Sequence, residues 1–106
     1  MDIDKSKRQE AIDTASAIIK GALHPLEGCR RLVELKDYIG LGDDESFDQI
    51  RSTESETDHL PLGALKAHCS ASYLERVQRE EREYLESALG DIVKACEEII
   101  QKLKVL

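Results

Sequence analysis

The sequence predicts an all-α fold: a three-helix antiparallel bundle with a long C-terminal helix and an acidic connector between helices two and three. Three observations carry this. Apolar residues recur at helical spacing in three separate stretches. Aromatic residues make only 4% of the chain, so the core is left to Leu, Ile, Val and Ala, which suits interlocking helices. Gly and Pro punctuate the sequence between the periodic stretches. At 106 residues the chain makes a single helical domain, 1–106, that buries roughly 65% of its unfolded surface. Residues 40–69 form the acidic connector and a loop.

The first helix runs over residues 5–23 on the stripe Ala11, Ile12, Ala15, Ile18, Ile19, Ala22 and Leu23. Asp4 or Ser6 caps it, and Gly21 with His24-Pro25 ends it, because the residue before a proline avoids helical geometry. The second helix starts at Pro25 and carries Leu26, Cys29, Leu32, Val33 and Ile39 before stopping at Gly40-Leu-Gly-Asp-Asp. Gly28 inside it costs about 1 kcal/mol relative to Ala and marks the close approach of another helix.

Ser70 caps the third helix, whose inner face holds Leu74, Val77, Tyr84, Leu85, Ala88, Leu89, Ile92, Val93, Cys96, Ile99, Ile100 and Leu103. At ~35 residues it reaches roughly 50 Å, against roughly 28 and 22 Å for the other two. One end is therefore left to the connector, a partner chain or water. The polar middle of this helix places Glu75 with Arg79, Arg76 with Glu80, Arg79 with Glu83 and Arg82 with Glu86 at four-residue spacing, the pattern of a solvated face.

The connector holds most of the charge. Residues 43–58 carry seven carboxylates and one base, Arg51, a net of minus six out of a formal minus seven for the chain. Residues 43–52 read as a solvated tether. Residues 53–63 read as an anchored loop with Leu60, Leu62 and Leu65 seated on the bundle, a Thr57 or Asp58 turn before Pro61, and a short helical turn over residues 62–67.

This charge balance, with no basic stripe, excludes a nucleic-acid binder that tracks phosphates. Three widely spaced cysteines, Cys29, Cys69 and Cys96, give neither a disulfide framework nor a zinc pattern, and no apolar run suits a secretory signal or a membrane span. The expectation is a cytoplasmic protein without cofactor.

Glu54, Glu56, Asp58 and His59 lie within six residues. They suit contact with a basic partner, and with His68 the set Glu56, Asp58, His59 and His68 suits a metal or small ligand. Glu56-Thr-Asp-His59 has the Glu-x-x-His spacing of di-iron bundles, but it occurs once, and the calcium-loop glycine is missing. Cys69 at a helix start is a candidate reactive thiol, whereas Cys29 and Cys96 fall on apolar stripes. His24 reads as a cap. No nucleophile elbow, phosphate loop, dinucleotide fingerprint or zincin motif supports enzymatic chemistry.

Leu26-Glu-Gly-Cys-Arg-Arg-Leu32 and Ser55-Glu-Thr-Asp-His-Leu-Pro-Leu-Gly63, followed by a long charged helix, together resemble a set of small uncharacterised bacterial proteins. The resemblance covers residues 18–100 and implies no reaction, cofactor or catalytic residue. In that set an aromatic residue often follows the histidine at the position of His68, and Cys69 departs from this. The functional expectation is a protein-interaction domain, monomeric or homodimeric, that binds a basic partner protein through its acidic loop as an immunity-type neutraliser or adaptor. The alternative is the metal or small-ligand site.

Overall fold

The structure, a computed structural model, describes residues 4–105. The first three residues and Leu106, included in the single-domain reading, lie outside the described residues. Four α-helices follow one another: α1 (Lys5–Lys20), α2 (Pro25–Leu35), α3 (Asp48–Thr57) and α4 (Ala71–Lys104). Two 3-10 segments, Glu45–Phe47 and Gly63–His68, precede α3 and α4. The all-helical class and the long C-terminal helix are as the sequence predicts, and the count of three is corrected to four.

Local chemistry sets the boundaries. Asp4 accepts from the Lys7 amide at 3.0 Å, and Gly21, at φ 74°, turns the chain out of α1 by donating to the carbonyls of Ala17 and Ile18. His24 caps α2 through Nδ1, which accepts from the Leu26 amide at 3.2 Å, and Pro25 fills the first helical position. Ser70 caps α4 by accepting from the Tyr73 amide. A β-carbon on Gly28 would lie 2.4 Å from Ile18 Cδ1, so α1 and α2 meet there because glycine lets them.

The extra helix takes in the second half of the stretch read as a tether, residues 43–52, and the start of the stretch read as a loop, residues 53–63. Phe47, Ile50, Thr53 and Thr57 repeat at helical spacing, and all four are buried. Phe47 is the only phenylalanine in the chain and is fully enclosed. The two threonines enter the interior with their hydroxyls satisfied: Thr57 donates to the Thr53 carbonyl at 2.6 Å, and Thr53 Oγ1 accepts from Gln49 and from the Tyr84 hydroxyl. The Thr57 hydroxyl therefore bonds back along its own helix, and the turn expected before Pro61 is closed instead by the backbone, the Leu60 amide donating to the Thr57 carbonyl at 3.0 Å.

Each of the first three helices packs on the next, and α4 closes the ring by packing on both α3 and α1. Asp44, just before α3, bonds Lys102 near the end of α4, whereas Thr53 meets Tyr84, so α3 runs antiparallel to α4. One core joins all four helices around Ala15, Leu32, Phe47, Ile92, Cys96 and Ile99. A smaller cluster, Leu26, Leu60, Leu62 and Val77, seats the chain after α3 against the N-terminal half of α4, with Tyr84 and Leu85 joining the two.

Cys29 and Cys96 are fully buried as expected, and burial pushes both thiols up to about 12. Leu65 and Leu89 are corrections. They are 61% and 40% exposed, so Leu65 does not anchor the loop and Leu89 lies outside the inner face of α4. The 34-residue α4 outruns its neighbours, which stretches the molecule to 47 × 25 × 23 Å. Among the described residues no helix is long and apolar enough to cross a membrane.

Candidate functional site

The buried stripe of α3 fixes what its other side presents. With Phe47, Ile50, Thr53 and Thr57 inward, residues Asp43, Glu45, Asp48, Ser52, Ser55, Glu56, Asp58 and His59 are exposed and Glu54 is half-buried. Two of the seven connector carboxylates are neutralised locally. Asp44 accepts from Lys102 Nζ at 2.6 Å and from the amide and hydroxyl of Ser46 at 2.9 and 2.7 Å, and these donors, Lys102 foremost, pull its carboxyl down to about 2. Asp48 pairs with Arg51, whose other nitrogen donates to the Gly42 carbonyl at 2.9 Å. Among the described residues Asp43, Glu54, Glu56 and Asp58 form no ion pair, and Glu45 acts on Lys102 only at longer range.

The platform under these charges is tied down from α2. The Arg30 guanidinium donates to the Thr57 and Leu60 carbonyls at 2.6 and 2.8 Å, clamping the turn that the Leu60 amide closes onto the Thr57 carbonyl at the end of α3. Leu60 and Leu62 are buried immediately beyond, so the turn carrying Asp58 and His59 is held on both sides. His59 Nε2 lies 2.6 Å from Glu80 Oε1, with both side chains about half exposed. Glu80 turns to His59, and none of the four spaced pairs expected along α4 closes into an ion pair among the described residues.

The set Glu56, Asp58, His59 and His68 does not converge. Among the described residues no group of three or more His, Cys, Asp or Glu side chains is arranged to hold a metal ion. His59 is drawn to α4, and His68 ends the 3-10 segment that follows the buried Leu60 and Leu62 in sequence. Cys69, half-buried, points its thiol at the Leu65 carbonyl at 3.6 Å.

Two features escaped the sequence reading. Where α3 begins, Glu45, Asp48 and Gln49 face Asp91, Lys94, Ala95 and Glu98 of α4 across an open groove that continues to Gln101 and Lys102. Its second bank comes from a helix more than forty residues away, and only the folding of α3 brings the two together. The other feature is Glu81, expected on a solvated face but 6% exposed. Lys66 Nζ lies 3.1 Å from its Oε1 and 3.4 Å from Oε2, donating with hydrogen-bond geometry only to the latter. His24 Nε2 lies 3.3 Å from Oε2. Because the cap uses His24 Nδ1 as an acceptor, Nε2 carries the ring proton and faces the carboxylate. Two polar neighbours thus compensate a charge whose burial alone would cost several kcal/mol; Lys66 fastens the 3-10 segment to α4, and His24 fastens the start of α2.

No family model, curated protein or solved structure matches the chain.

Proposed function

We propose that this chain is a protein-interaction module whose acidic α3, with the turn after it, binds a basic partner protein, as an immunity-type neutraliser or adaptor does. The observation that carries this reading is the division of α3 into a buried stripe and a face of uncompensated carboxylates. Charges on an ordered helix are held in place before the partner arrives, so little conformational entropy is lost on docking. Their field raises the rate of encounter with basic surfaces and disfavours acidic competitors. Glu54, Glu56 and Asp58 supply charge, and His59 supplies a polar contact that donates or accepts after leaving Glu80.

The test is affinity capture from a bacterial lysate at low and high salt, run in parallel with wild type and with the variant Glu54→Gln, Glu56→Gln, Asp58→Asn. The expected result is a basic protein that wild type captures at low salt and that both high salt and neutralisation release. Equal capture by wild type and variant at both salts contradicts the reading.

A further inference from the structure

Gly90 stands in the middle of α4, exposed, and a β-carbon built on it meets nothing within 4 Å. Glycine is a poor residue for a helix interior, and the crowding that explains Gly28 is absent here. No contact within 4 Å accounts for Gly90. Around it the four-residue row of α4 reads Arg82, Glu86, Gly90, Lys94, Glu98, and every member is exposed. Among the described residues none of these four charged side chains forms an ion pair within the chain; Glu98 acts on Lys102 only at longer range.

We infer that this row is a homodimer interface, in which α4 of a second copy crosses α4 antiparallel at Gly90. The order of charges selects the occupant. A twofold axis at Gly90 sets Glu86 opposite Lys94 of the second copy and Arg82 opposite its Glu98, and the symmetry repeats both pairs, giving four complementary contacts. A parallel pairing in the same register would set each charge against its own kind. The crossing angle follows from the same row. Helices that meet along four-residue ridges cross at roughly −50°, which carries Glu83 away from Glu97 of the second copy, whereas near-parallel axes would oppose them. At the crossing point glycine lets the two backbones approach, and Leu89 beside it, 40% exposed, becomes covered. The row does not include Glu54, Glu56 or Asp58, although its Lys94 and Glu98 also line the groove facing Glu45 and Asp48, so the dimer and docking through Glu54, Glu56 and Asp58 are tested separately.

Sedimentation equilibrium of the full chain tests this. Wild type is expected at twice 11.9 kDa. Gly90→Leu blocks the crossing, and Lys94→Glu sets like charges together. Each is expected to run at the monomer mass with the helical circular dichroism retained, since both positions are exposed in the monomer. The double variant Glu86→Lys, Lys94→Glu exchanges the two signs within each pair and is expected to restore the dimer. A wild type that stays monomeric at its highest soluble concentration overturns the proposal and gives the face to a partner of another sequence. A dimer indifferent to both single variants, or a double variant that remains monomeric, also overturns it.

Discussion

Phe47→Ala separates a folded α3 from a solvated tether. Phe47 is 0% exposed and lies in the main core beside Ile50 and residues of α4. Removing a fully buried ring loses its transfer free energy and leaves a cavity, which together amount to about 3–5 kcal/mol. Net stability of a domain is about 5–15 kcal/mol, so this is a large share of the whole. At about 4–8 °C per kcal/mol for a domain near this size, Tm is expected to fall by at least ~12 °C. Urea unfolding followed by circular dichroism measures the loss directly, with Glu45→Ala as the control: Glu45 is exposed, and its variant should stay within about 0.5 kcal/mol of wild type. A loss below about 1 kcal/mol for Phe47→Ala would refute the packing described for the connector.

Gly28→Ala drives a methyl group into Cδ1 and Cγ1 of Ile18, a clash that costs about 1–3 kcal/mol and is offset in part by about 1 kcal/mol of helix propensity; in an Ile18→Ala background, where both clashing carbons are gone, Gly28→Ala should cost much less, and strict additivity in chemical unfolding would contradict the contact. Asp44 ionises at about 2 in the fold against an ordinary 3.8, so its contribution is complete above pH ~4 and disappears as pH falls towards 2. Asp44→Asn keeps the cap but loses the charge, and after allowance for screening around Lys102 it should cost about 1 kcal/mol at neutral pH and nothing near pH 2; an equal loss at both pH values would contradict the ion pair. In the native protein at pH 8 a thiol reagent should label Cys69 alone, because Cys29 and Cys96 are buried and held protonated; three rapidly labelled cysteines would contradict the core.

Three of the four helices were legible because their signals are local. Asp4, His24-Pro25 and Ser70 mark helix starts through side chains a few residues from the amides they cap, and Gly28 announced a close contact that proves to be Ile18. The fourth helix was hidden by its composition. Half of its buried stripe is threonine, and a threonine becomes a core residue only when its hydroxyl finds a partner, here Gln49, Tyr84 and the Thr53 carbonyl. Glu81 was illegible for the same reason, since Lys66 and His24 reach it from segments far apart in sequence. The acidic character of the candidate surface could be read from composition alone. Which carboxylates stay unpaired could not, because that depends on Lys102 reaching Asp44 across the bundle.

Amide hydrogen exchange tests most directly whether the acidic stretch is an ordered platform. The amides of residues 51–57, bonded within α3 and packed on α2 and α4, are expected to exchange as slowly as those in the middle of α2. Exchange across that segment at the rate of an unstructured peptide would contradict the account, returning the connector to a tether and its charges to solvent.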